Sequence, residues 1–168
     1  MPNWILTTAY SAHMLATVVW IGGISTQVLL LLPMATQRAA APALVKLLAA
    51  VRSRFQPLAW LSLAVLVGSG LTQMSASSHY EGLLVIHNRW SLAILLKHLA
   101  IALMVVLMGY QSWVLYPRWE RMALIRSRNP ESGTEADPAL LKRENLLLRS
   151  QLLLSVAVLV LTAVARTA

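Results

Sequence analysis

Three ionisable side chains, His13, Lys97 and His98, fall inside stretches apolar enough to be buried in a helix. His13 lies in a run from Trp4 to Leu32 that contains no Lys, Arg, Asp or Glu. Lys97 and His98 lie well inside a second run that opens at Arg89-Trp90. Hydrocarbon offers an imidazole no hydrogen bond, so a buried histidine needs a partner on a neighbouring helix or a metal. Facing histidines on adjacent helices are how bundles hold a b-type haem iron. An ammonium in the same setting costs several kcal/mol unless it snorkels or is paired.

Spacing brings these groups together. His13 is nine residues inward from Trp4, and His98 is eight inward from Trp90. If both helices are entered from the same side, the two rings sit at nearly one depth, roughly 12–14 Å below the boundary. Ala9, Ala12, Ala16 and Thr17 leave room near His13 for a flat macrocycle. Trp20, seven residues on, shares its face, and Gly22 and Gly23 permit close helix contact below it. Ile94, Ala102 and Val105 share the face of His98, whereas Lys97 points about 100° away. Arg89 and His87 stand at the mouth, where haem propionates need cationic or hydrogen-bonding partners. The cofactor-binding set read from the sequence is therefore His13, His98, Lys97, Arg89, Trp20 and Gly23, with His13 and His98 as iron ligands. The plainer alternative is that each histidine hydrogen-bonds a neighbouring helix. His79 and His87, with Met74 nearby, form a second candidate, since thioether and imidazole suit copper. Their spacing is irregular, and loop histidines are commonly just solvated.

These residues require a membrane bundle to position them. The chain has 168 residues, is 58% hydrophobic and only 12% charged, and has no cysteine. Soluble domains average about 25% charged residues, so the deficit points to the bilayer. The missing cysteines exclude disulfides, iron–sulfur clusters and covalent haem attachment. The N-terminus lacks the basic n-region of a cleaved signal peptide and reads as a retained span. Four spans are expected, at about 4–32, 57–74, 90–116 and 146–165, forming one transmembrane domain over 1–168. Between the first two, Arg38, Lys46, Arg52 and Arg54 accompany Leu44, Leu47, Leu48, Val51 and Phe55 at helical spacing. This predicts a short basic amphipathic helix at the cytoplasmic surface. Asp137-Pro138 predicts an N-cap and first-turn proline for a helix that runs on into span 4. The tryptophans at 4, 60, 90, 113 and 119 read mostly as interfacial anchors.

The 1–2 connection carries four Lys or Arg and the 3–4 connection seven, against one at the edge of the 2–3 connection. The positive-inside rule then places both termini outside. It also explains the net charge of +8 as topology rather than affinity for nucleic acid. The expected fold class is an all-α polytopic membrane four-helix bundle, N-out and C-out.

His13-x6-Trp20-Ile21-Gly22-Gly23, with Trp90-x6-Lys97-His98 in the third span, resembles the CopD-like superfamily of bacterial four-helix membrane proteins. That grouping includes copper-resistance membrane domains and looks similar to the HemJ-type protoporphyrinogen oxidases. The resemblance implies that His13 and Lys97 serve a haem or metal function, with Trp20, Gly22, Gly23 and Trp90 as motif companions. Ile24-Ser25-Thr26-Gln27-Val28 stands where the HemJ-type pattern has a basic, aromatic stretch. Copper-resistance versions are usually longer, with external copper-binding segments. The expected function is binding of non-covalent haem b between spans 1 and 3 in a bacterial inner membrane, for electron transfer or porphyrin-linked redox chemistry; a haem-dependent oxidoreductase activity stays open. Copper transport is one alternative. The other is a structural role as a homo-oligomer or as a subunit of a larger membrane complex.

Overall fold

The computed structural model describes residues 2–35, 42–77, 89–128 and 138–167, and every described element is helical. Helix α1 (Asn3–Thr26) continues through a π-helical turn, Gln27–Leu31, into Leu32–Ala35. Helix α2 (Pro42–Ser75) follows. Helix α3 (Arg89–Tyr110) continues through a second π-helical turn, Gln111–Leu115, into Tyr116–Arg128, and α4 spans Pro138–Thr167. Four stretches are long and apolar enough to cross a membrane: Asn3–Leu31, Ala50–Ser75, Arg89–Met122 and Ala139–Thr167. The protein is a multi-pass membrane protein, and the four expected spans are all present. Most of each span faces outward. Leu15, Val18, Leu61, Val106, Leu153 and Val160 are exposed apolar side chains, a surface suited to lipid rather than water.

Prolines end fewer helices than the sequence reading expected. The expected spans stop at residues 32 and 116, just before Pro33 and Pro117, yet the chain stays helical through both prolines. In each case a π turn precedes the proline: the Leu32 N–H reaches Gln27 O, and the Tyr116 N–H reaches Gln111 O. The wider turn makes room for a ring that would otherwise press on the carbonyl four residues back. Pro57 also lies inside a helix. The basic segment before it is therefore no separate surface helix but the first part of α2. Helix α4 does run unbroken from Pro138 into span 4, as the capping residues predicted.

Helix α1 packs along α2, and α3 along α4, giving two hairpins joined through α1 and α4. The hairpins repeat one plan. Gln27-x5-Pro33 and Gln111-x5-Pro117 frame the two π turns. Leu61-Ser62-Leu63-Ala64-Val65-Leu66-Val67 in α2 has a counterpart in Leu154-Ser155-Val156-Ala157-Val158-Leu159-Val160 of α4. Between the hairpins the core is Trp20, Ile24, Ala59, Leu63, Met104 and Met108. Lipid is as apolar as these side chains, so tight packing and polar contacts must hold the helices together. Gly23 is one such contact. A Cβ there would lie 2.6 Å from Cδ2 of Phe55 and closer still to the outer edge of its ring. Gly22 has nothing within 4 Å and makes no such contact, contrary to expectation.

Candidate functional site

Two polar clusters occupy opposite ends of the bundle. At the first, His13 Nδ1 lies 2.9 Å from Ser69 Oγ on α2. Ser69 has one hydroxyl hydrogen and donates it to Val65 O, 2.5 Å away. It must then accept from His13, which fixes the Nδ1–H tautomer and leaves Nε2 with a bare lone pair. Gly70 lies beside the ring, where a Cβ would be in ordinary contact, 3.6 Å from His13 Cε1. Thr17 Oγ1 donates to the His13 carbonyl at 2.7 Å within α1, and Gln73 Nε2 donates to Ala9 O at 3.3 Å, a second link between α1 and α2 beside the His13–Ser69 contact.

The charges acting on His13 through space are Lys97 on α3 and Arg166 near the end of α4, and Arg166 acts on Lys97 as well. Three basic groups therefore share this end. Glu81, the acid nearest to it in sequence, lies outside the described residues. The hairpin repeat puts His13 and Lys97 at equivalent positions. His13 stands fourteen residues before Gln27, and Lys97 stands fourteen before Gln111. Ser69 likewise corresponds to Thr162, which donates to Val158 O at 2.7 Å just as Ser69 donates to Val65. His98 is turned to its own helix, with Nδ1 2.7 Å from Ile94 O. A carbonyl only accepts, so Nδ1 carries the hydrogen there too. Arg89 is exposed at the first turn of α3. His79 and His87 lie outside the described residues, and among those described no group of three or more His, Asp or Glu is placed to hold a metal ion.

The second cluster has no counterpart in the sequence reading. Arg52 of α2 donates to Glu144 of α4, whose side chain is 3% exposed. Its guanidinium also lies 4.9 Å from the centre of the Trp119 ring. Tyr116 sits within the field of both charges. Arg52 and Glu144 both precede the apolar spans expected at 57–74 and 146–165, and the helices starting at Pro42 and Pro138 carry them into the bundle. Beside them, Gln151 Nε2 donates to Gln111 Oε1 at 2.9 Å, both residues being buried. Trp60 and Trp113, expected as interfacial anchors, stack on each other 5.8 Å apart, and Trp60 Nε1 donates to Ser112 Oγ at 3.3 Å.

Trp20 does not wall the His13 end. It lies two turns further in, where with Gln27, Gln56, Gln111, Tyr116 and Gln151 it lines an interior cavity of about 20 Å³. That volume admits little more than one water molecule. The N–H of Trp20 Nε1 and one Gln111 amide hydrogen donor have no partner in this buried region, so a water there would satisfy both.

The model of the copper resistance protein D family, CopD, matches residues 49–165, well over half the chain. The chain belongs to the CopD family. The matched residues include α3 and all but the end of α4, with Lys97, His98, Arg52 and Glu144 among them, while His13 and the rest of α1 precede the match. No curated protein and no solved structure matches the chain significantly.

Proposed function

We propose that this CopD-family protein binds an anionic porphyrin, haem b, at the His13 end of the bundle, with His13 Nε2 as an iron ligand and Lys97 and Arg166 meeting the propionates. The observation that supports this reading is the fixed tautomer of His13: Ser69 holds Nδ1–H, so the free lone pair is on Nε2. The donor chemistry fits. The side-chain charges whose field reaches the ring, Lys97 and Arg166, are both cationic, a setting that attracts a dicarboxylate and repels a bare metal cation. His98, with Nδ1–H held by Ile94 O, also offers a free Nε2 and is the candidate for the opposite iron ligand. Bound haem would supply one-electron redox chemistry. The chain's own residues orient the imidazole, neutralise the propionates and keep lipid-facing surface around the group. By the positive-inside rule the site lies toward the outer face of a bacterial inner membrane, and the four spans act as one domain.

A copper reading is favoured by the family match. Copper would then be cargo, moving over imidazole and thioether groups. One experiment separates the two. Full-length protein is purified with haem or with copper supplied and assayed for both by absorbance and metal analysis. The haem reading expects about one haem per chain, lowered at least tenfold in affinity by Ser69→Ala, because that variant releases the tautomer. Stoichiometric copper without haem, unaffected by Ser69→Ala, would favour the copper reading.

A further inference from the structure

A third polar surface lies away from both clusters. Arg118, Arg121 and Arg143 line an open groove of about 400 Å³ with Met122, Ala139 and Leu140. Arg118 and Arg121 are three residues apart, on one face of the helical extension of α3. Arg143 stands one turn after Ala139 and Leu140 on α4. All three arginines are exposed, and none forms an ion pair among the described residues. Among the described residues no acidic side chain lines the groove.

We infer that this groove binds the phosphate headgroup of an anionic phospholipid. Position supports this first. One wall is the end of the membrane-spanning stretch Arg89–Met122 and the other is the start of Ala139–Thr167, so the groove opens at the level of the headgroups. The mixed lining supports it second. Three arginines share the groove with Met122, Ala139 and Leu140, an apolar lining that a free inorganic anion has no use for but a glycerol backbone and its first methylenes would cover. Leu146, three residues beyond Arg143 toward the bilayer and largely exposed, continues the apolar path for an acyl chain. The charge distribution of the chain puts this end on the cytoplasmic leaflet, where basic pockets between helices take anionic headgroups.

The test titrates full-length protein in detergent with short-chain phosphatidylglycerol, phosphatidylcholine or inorganic phosphate, read by native mass spectrometry and tryptophan fluorescence. Phosphatidylglycerol is expected to bind well ahead of the other two. Each of Arg118→Gln, Arg121→Gln and Arg143→Gln should weaken it roughly fivefold. A control triple, Arg54→Gln/Lys142→Gln/Arg149→Gln, removes three times the charge of any single groove variant from exposed positions outside the groove and should still leave binding within about twofold. Equal loss in the control, equal binding of phosphatidylcholine, or binding of inorganic phosphate as tight as that of the lipid would each overturn the inference. Should the groove variants fold poorly, Arg→Lys at each position keeps the charge and loses the bidentate fork; a wild-type affinity in all three would also overturn it.

Discussion

Arg52→Gln should be among the most destabilising single changes in this protein, and more so than Glu144→Gln. The carboxylate of Glu144 is almost fully buried, at 3% exposure, and Arg52 is its ion-pair partner. Removing one partner of such a pair typically costs about 3–5 kcal/mol, because an uncompensated charge is left in a low dielectric. The reverse change is milder for two reasons visible in the geometry. Arg52 is 18% exposed, so its charge keeps some hydration, and it retains the face of Trp119 at 4.9 Å, a contact worth about 0.5–2 kcal/mol. Glu144→Gln should therefore cost about 1–2 kcal/mol less than Arg52→Gln. Replacing both, as Arg52→Met/Glu144→Leu, should recover most of the loss, since a packed apolar pair in lipid needs no desolvation of charge. The assay is reversible unfolding in mixed micelles, with helicity followed by circular dichroism as the mole fraction of SDS rises. The reasoning fails if both single variants cost less than about 0.5 kcal/mol, the behaviour of a surface pair. It fails equally if the double variant is as unstable as the sum of the singles.

Two further outcomes test other parts of the account. Gly23→Ala should cost about 1–3 kcal/mol in the same unfolding assay, because its Cβ meets the Phe55 ring, whereas Gly22→Ala, with open space around it, should be neutral or slightly stabilising. In haem titrations, Lys97→Met should weaken binding by about tenfold without moving the absorption maximum, as loss of a propionate partner does, while His98→Ala should shift the spectrum if its Nε2 completes the iron coordination.

The span count was legible because lipid imposes one demand, about twenty apolar residues per helix, and the sequence meets it four times. Helix ends were less legible. Proline is a reliable stop only where the preceding turn is α-helical, and the π turns at Gln27 and Gln111 remove the clash at Pro33 and Pro117. The second cluster was hidden for another reason: Arg52 and Glu144 precede the apolar stretches expected at 57–74 and 146–165, in segments where charges are usually solvated. At the His13 end, rotation about the helix axes was not readable from residue spacing. Ser69 looked like any small residue of a span, and nothing local marked it as the hydrogen-bond partner of His13. A signal for the equivalent positions of His13 and Lys97 was present in the equal fourteen-residue spacing to Gln27 and Gln111. It gains meaning only once both glutamines are seen to begin the same kind of turn.

The central claim is that the His13 end holds haem, and the absorption spectrum of purified full-length protein, oxidised and then reduced with dithionite, tests it most directly. The account predicts a Soret band that shifts on reduction and a resolved α-band, both lost or displaced in His13→Ala. A preparation that stays colourless after haem is supplied, or a spectrum that His13→Ala leaves unchanged, would contradict it.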